Sequence, residues 1–244
     1  MKALWRSLRI YRLDRTHSQS LTNLYQPFVR SGRLVFDIGA HVGDRTNCFR
    51  RLGAHVVCVE PQKTFYWFLR LSNLLSARVT VLPNVVSNTG GIKTLHVNSR
   101  NPTVSTLSES FVEAASAAGP GWQGQKWDHA LTVEAITLDQ LIKTHGTPDF
   151  IKIDVEGAEL DVLRGLSHTP LALSFEFTMI QRDLTIDCVR RCQELGLEQF
   201  NVSLGESHTL KFESWISAPS LLDFLSDLSD DANSGDIYAR PNPS

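Results

Sequence analysis

The stretch LVFDIGAHVGDRT, Leu34 to Thr46, decides how the rest of the chain is read. Leu34, Val35 and Phe36 lead into Asp37, and the chain then meets Gly39, Ala40, His41, Val42 and Gly43. This is the pattern of a strand that breaks into a tight turn before a helix. Gly39 and Gly43 let the backbone turn sharply and approach a ligand closely. A second strand, HVVCVEP, ends on Glu60 and Pro61. A carboxylate at that point can accept both hydroxyls of a ribose.

Which nucleotide the turn suits follows from its charge. A dinucleotide fold shows GxGxxG, with a pyrophosphate on the helix N-terminus. Here the pattern is D-x-G-A-x-x-G, and the Asp37 carboxylate would repel a pyrophosphate. It suits a cation or an ammonium group. A ligand with a ribose, an α-amino group and a sulfonium is S-adenosylmethionine. A glycine turn alone is a common packing device; Glu60-Pro61 at the next strand end shifts the reading toward a cofactor.

Further along, strand-like runs alternate with helical ones. KTFYWFLRLSNLL reads as a helix, RVTVLPN as a strand, and GIKTLHV and LTVEAITL as further strands. DFIKID is a strand followed by the helix AELDVLRGL, and LALSFEF a strand followed by the helix DCVRRCQELG. FNVSL and GDIYAR close the chain as strands. Alternation of this kind predicts an α/β fold, a mostly parallel sheet with helices on both faces. Such sheets bind ligands at the carboxyl ends of their strands. Residues 1–31 read as an N-terminal helical extension, with a short helix closing near Gly32, and 32–244 as one domain. Within it, about 99–130 forms an insertion rich in small residues, expected to cover the site as a lid that is mobile without substrate.

Composition sets outer bounds. The 244 residues are 42% hydrophobic and 20% charged, as in a globular protein. With 24 Lys+Arg against 26 Asp+Glu, a general nucleic-acid partner is not expected. Cys48, Cys58, Cys188 and Cys192 form no CxxC pair and read as reduced thiols, which points to the cytoplasm. No run reaches the roughly 18 apolar residues of a membrane span. The basic start, MKALWRSLRIYRLDR, is cut by Arg6, Arg9 and Arg12. It reads as a helix packed on the domain or on a second subunit, which leaves room for a homodimer. The alternative is weak peripheral contact with anionic lipid through Trp5 and Leu8.

Together, VFDIGAHVGDRT, CVEPQ, NVVSNTGG, STL, ITLDQLI and DFIKIDVEGAELDVLRGL resemble the FkbM family of S-adenosylmethionine-dependent methyltransferases. IKIDVEGAE is the most specific piece. The resemblance implies a class I methyltransferase (Rossmann-like) fold, with a seven-stranded, mostly parallel sheet ending in a C-terminal antiparallel hairpin. It implies O-methylation of a hydroxyl on a carbohydrate or secondary-metabolite acceptor. Asp37, Gly39, Ala40 and Gly43 would then hold the methionine end, Glu60 and Pro61 the ribose, and Val85 and Val86 the adenine. Ser105 and Thr106 would lie near the substrate. His41 stands where the family usually has Asn; it can still hydrogen-bond the cofactor, with a charge that varies with pH.

Asp154, at the end of its strand, would face both cofactor and acceptor. A hydroxyl nucleophile needs a carboxylate base or a metal that lowers its pKa. Glu176, at the end of the next strand, is the second carboxylate, and the two together offer ligands to Mg²⁺, with no third identifiable. The competing reading makes Asp154 a helix cap near Gly157. Lys152, on the same strand face, needs a partner, expected to be Asp37 or Glu176. Glu156 and Glu159 are read as favouring the helix dipole. Trp127, with Trp122, would either stack on the acceptor or pin the insertion. His96, His129, His145, His168 and His208 show no ligand spacing and are expected on the surface, with His129 set apart because, like Trp127, it flanks the insertion that should cover the site. An N-methyltransferase of the same fold and a non-catalytic nucleotide-binding or scaffold protein stay open as alternatives.

Overall fold

The computed structural model describes residues 2–11, 15–119, 121–229 and 232–243; Arg12 of the basic N-terminal pattern lies outside them, as does the side chain of Arg9. In chain order the elements begin with helices α1 (Lys2–Tyr11) and α2 (Arg15–Tyr25), then β1 (Leu34–Ile38), α3 (Asp44–Arg51), β2 (His55–Val59), α4 (Lys63–Ser72) and β3 (Val79–Leu82). Next come β4 (Val85–Val86), β5 (Gly91–Val97), α5 (Glu109–Ala117), β6 (His129–Ile136), α6 (Leu138–His145) and β7 (Phe150–Ile153). The chain closes with α7 (Glu159–Arg164), β8 (Leu173–Thr178), α8 (Arg182–Glu194), β9 (Gln199–Leu204), α9 (Ala218–Asp227) and β10 (Ser234–Arg240).

Seven strands form one sheet in the order β3-β2-β1-β7-β8-β10-β9. The first five run parallel, and β10 is antiparallel to both β8 and β9. This is the class I methyltransferase topology, with its closing antiparallel hairpin. The strand order reverses beside β1, where β2 lies on one side and β7 on the other, so their carboxyl ends frame a crevice.

Parallel strands covered on both faces read as apolar runs, and the alternation along β1 shows the two faces. Phe36 and Ile38 enter the larger core with α6, α7 and α8. Val35 enters a second core with Leu21, Leu24 and Tyr25 of α2 and Phe49 of α3. Helix α2 is therefore built into the domain's packing. It ends at Tyr25, short of the expected Gly32, because Pro27 disfavours helical geometry at the residue before it. The four cysteines are free and buried, so they are core thiols.

The strands GIKTLHV and LTVEAITL do not join the main sheet. They pair antiparallel as β5 and β6, and β4 adds to β6 in a separate three-stranded sheet. Local pattern specifies a strand but not its partner, and the short Val85–Val86 segment had carried no strand signal. Among the described residues no helix is long and apolar enough to cross a membrane.

Candidate functional site

The crevice beside β1 is a cleft walled by five parts of the chain: the Gly39–His41 turn, the Glu60–Gln62 corner, β4, the Pro102–Leu107 segment and the Asp154–Glu156 turn. Gly39 (φ 83°) has to be glycine, because a Cβ there would overlap the Asp154 carbonyl. That close approach brings the turn after β1 against the end of β7.

Glu60 is buried, and its carboxylate is anchored by the backbone. One oxygen accepts the His41 N–H at 2.9 Å and the other the Gln62 N–H at 2.8 Å. Burial pushes its pKa up to about 7 despite these two bonds. A carboxylate has about four acceptor positions, so two remain for the hydroxyls of a ribose. Pro61, Val85 and Val86 line the same cleft. Asp37 and Gly43 lie beneath it instead. Asp37 is buried and accepts a short hydrogen bond from the Thr46 hydroxyl of α3, and burial raises its pKa to about 6.

His41 sits at φ 47° against the Phe65 ring, 4.4 Å between centroids, with its Nε2 3.3 Å from the Ser7 hydroxyl of α1. Burial lowers its pKa to about 4. The expected pH-variable charge is therefore absent near neutrality, and His41 acts as a neutral hydrogen-bonding ring. Helix α1 reaches over this edge of the cleft. Besides Ser7, Arg6 donates to the Arg100 carbonyl at 3.1 Å and to Asn101 at 3.0 Å. Trp5 on the same helix is exposed.

The reacting end is built by IKIDVEGAE. Lys152 is fully buried, and its ammonium meets Asp236 of β10 at 2.6 Å and Asp154 at 3.3 Å. The expected partners Asp37 and Glu176 are not used, because only the pairing of β10 with β8 brings Asp236 to this point. Asp154 does not cap α7; Ala158 holds the cap position and makes no side-chain cap bond. Glu159 instead fastens the turn, accepting the Val155 N–H at 3.1 Å and the Gly157 N–H at 3.0 Å. Within that turn Glu156 (φ 55°) and Gly157 (φ 86°) are both left-handed, which swings Glu156 into the cleft.

Asp154, Glu156 and Glu176 consequently converge, with one oxygen from each within 4.8 Å of the others. Glu156 is the third carboxylate of the cluster, which sequence reasoning missed because only the left-handed backbone turns it away from the helix dipole role. Burial alone would raise Asp154, but the Lys152 ammonium and Arg45 guanidinium hold it below its ordinary value. Glu176 is pushed well above its own, by burial first and then by Asp154 and Glu156. Glu156 rises too, through burial and repulsion from Asp154 and Glu159. The cluster thus keeps Asp154 charged and holds protons on its neighbours.

Of the substrate candidates, Ser105 lines the cleft, whereas Thr106 is buried behind it and bridges to His96. Trp127 does not line the cleft. Its indole donates to the Val104 carbonyl at 2.7 Å and packs edge-on to Phe111, as Trp122 also does, so both rings pin the insertion. Asp44, Arg45, Gln62 and Glu206 also line the cleft. Asp44, Arg45 and Gln62 fall within the motifs VFDIGAHVGDRT and CVEPQ but were not singled out as site residues, and only the fold marks Glu206. Three buried polar atoms on residues lining this space have no hydrogen-bond partner among the described residues, Arg45 Nε, Ser105 Oγ and Glu176 Oε2. Orphaned buried groups are costly unless a ligand satisfies them. Together with the Glu60 corner, these groups fit the polar ends of an S-adenosylmethionine.

Gly157→Ala tests the turn. A Cβ there would meet Phe111 of α5, and the left-handed backbone adds about 1–2 kcal/mol for a non-glycine residue. Loss of at least that much stability in urea unfolding is expected; an unchanged midpoint would show that the turn is not so constrained.

The family model described as Methyltransferase FkbM domain matches residues 37–229. No curated protein matches the chain. Its backbone is similar to the Bacillus cereus O-methyltransferase solved with SAH, at 12% identity and a TM-score of 0.43, covering 98% of this chain and 91% of that one. It is also similar to the precorrin-6y C5,15-methyltransferase of Geobacter metallireducens, at 11% identity and a TM-score of 0.45, covering 95% and 91%. A third similar structure is the TehB-like SAM-dependent methyltransferase of Corynebacterium glutamicum, at 12% identity and 0.45, covering 98% and 94%. With the match over most of its length and a cleft that accommodates the cofactor, the chain belongs to the FkbM family of S-adenosylmethionine-dependent methyltransferases.

Proposed function

We propose that the enzyme methylates a hydroxyl oxygen of a carbohydrate or secondary-metabolite acceptor. The observation that carries this reading is the convergence of Asp154, Glu156 and Glu176 beside the cofactor cleft. S-adenosylmethionine, when bound, supplies an electrophilic methyl group on its sulfonium. Asp154 would take the proton that the acceptor hydroxyl gives up in the methyl transfer, with the cofactor's sulfur as the leaving group. Asp154 is the member of the cluster held ionised, so it is the one able to take the proton. Ser105 and Glu176 offer the acceptor hydrogen bonds that align it. Correct alignment supplies much of the rate in an in-line displacement.

The same charge disfavours the N-methyl alternative. The ionised Asp154 would stabilise an amine acceptor as ammonium, which has no lone pair to offer. The cluster also has the hard oxygen ligands that Mg²⁺ takes. Proton acceptance and metal binding are separated by chelator, since a base is indifferent to EDTA. The reading as a whole is tested by transferring labelled methyl from the cofactor to a panel of glycans and small alcohols. O-methyl product supports it; N-methyl product, or a bound cofactor that is never turned over, rejects it.

For the cofactor, Glu60 is assigned to the ribose. Glu60→Ala is expected to weaken S-adenosylhomocysteine binding by about tenfold or more for each charge-assisted bond lost, at ~1.5–3 kcal/mol each. Because burial raises the carboxylate's pKa to about 7 and its ionised form accepts hydroxyls better, wild-type affinity should rise as pH passes through about 7 and level only once the group is fully ionised. Calorimetry across that range checks both points. Unchanged affinity in a folded Glu60→Ala protein removes the assignment.

A further inference from the structure

A second cluster of ligating side chains stands outside the carboxylate site. Contrary to expectation, His208 is not on the surface. It is buried at 6% exposure, in the loop after β9, with a left-handed backbone at φ 51°. Its Nε2 lies 3.2 Å from Nδ1 of His17 on α2 and 3.3 Å from a carboxylate oxygen of Glu206. Two ligands at ~2.0–2.1 Å from a tetrahedral Zn²⁺ stand about 3.3 Å apart. Both distances match an edge of a zinc coordination shell, and a ligand atom from each of the three residues lies within 4.8 Å of the others.

The outer nitrogen supplies an independent sign. His17 Nε2 faces the Asp44 carboxylate at 3.2 Å. Metal-bound histidines commonly donate their far N–H to a carboxylate, which fixes the tautomer and leaves the near nitrogen as ligand. The same Asp44 oxygen also meets the Arg45 guanidinium at 3.1 Å. A non-glycine residue held left-handed, as His208 is, costs energy that recurs at functional positions.

We propose that His17, Glu206 and His208 bind one Zn²⁺, with Asp44 as the outer carboxylate. Two imidazoles and one carboxylate suit zinc and not the hard cations Mg²⁺ or Ca²⁺. The ion fastens the N-terminal helix α2 to the loop after β9, residues far apart in sequence. Glu206 and Asp44 also line the cofactor cleft, so the clip sets one wall of it. Three protein ligands leave a fourth position for water, as in zinc sites that are not purely structural. The Glu206 side chain is 61% exposed, which gives the ion a path in.

The test is independent of methyl transfer. Full-length protein stripped with chelator and dialysed is titrated with Zn²⁺ by calorimetry. One equivalent should bind to wild type. Asp44→Asn should weaken it about 10- to 100-fold, and His17→Gln by more than that. Glu176→Gln should leave zinc affinity unchanged. Failure of the stripped wild type to take up zinc overturns the proposal, as does wild-type affinity in His17→Gln. Loss of zinc in Glu176→Gln with retention in His17→Gln overturns it too, by placing the ion on the other cluster. Cobalt in wild type gives a reading that needs no variant. Intense visible bands of tetrahedral Co²⁺, displaced by zinc, are expected, and a weak octahedral spectrum contradicts the site. None of these outcomes bears on the O-methylation reading.

Discussion

Asp154→Asn is expected to leave the fold intact and lower turnover by about 10² to 10⁴, the usual span for general acid–base assistance. The two side chains have nearly the same shape, so the substitution removes charge and not volume. Cofactor affinity should change far less than turnover, because the carboxylate is assigned to the acceptor's proton. The surroundings sharpen this expectation. Lys152 at 3.3 Å and Arg45 at 3.9 Å keep Asp154 ionised, while Glu156 and Glu176 carry the cluster's protons. In the asparagine variant the remaining carboxylates lose a repelling neighbour and ionise more readily, so a residual rate with a shifted pH profile is expected. Stopped assays with labelled cofactor measure the rate, and addition of EDTA or Mg²⁺ separates a proton acceptor from a metal ligand. Wild-type turnover in Asp154→Asn would move the base to Glu176 or Glu156.

Lys152→Met should be the most destabilising single change at the site. The lysine is fully buried, and it neutralises Asp236 at 2.6 Å as well as Asp154. Removing one partner of a buried ion pair leaves an uncompensated charge, at a cost of about 3–5 kcal/mol. That is a large share of the ~5–15 kcal/mol that holds a typical domain. Urea unfolding should show the loss as a lower midpoint at unchanged slope. Adding Asp236→Asn to Lys152→Met should recover part of it, since the orphaned charge is then gone; a strictly additive pair would mean that the two residues do not act together. A loss under about 1 kcal/mol in Lys152→Met alone, below the range for a buried pair, would show that the lysine is not needed for the fold.

These two residues also divide what is legible in a sequence from what is not. Short-range pattern was enough to read DIGAHVG as a strand-turn-helix with a ligand-facing turn. It was enough to place Glu60 and Asp154 at strand ends, and to predict a mostly parallel sheet, while the final hairpin came only with the FkbM resemblance. Each rests on physics confined to a few neighbours: apolar runs for buried parallel strands, glycine for a positive φ, and a carboxylate where a strand stops. The FkbM motifs added the reaction class for the same reason, since they are contiguous stretches of chain.

What tertiary structure alone decided involves contacts between residues distant in sequence. Lys152 finds Asp236 rather than Asp37 because β10 inserts antiparallel between β8 and β9. Strands β5 and β6 leave the main sheet because strand pairing is set by which edge is free, not by strand propensity. Glu156 enters the site because two successive left-handed residues turn it there, and Trp127 leaves it because its indole finds the Val104 carbonyl. His17 and His208, with no recognisable spacing, meet only after α2 packs on α3 and the loop after β9 folds back. A sequence records which groups are available; the distances that turn them into a site are set by packing, which no local window contains.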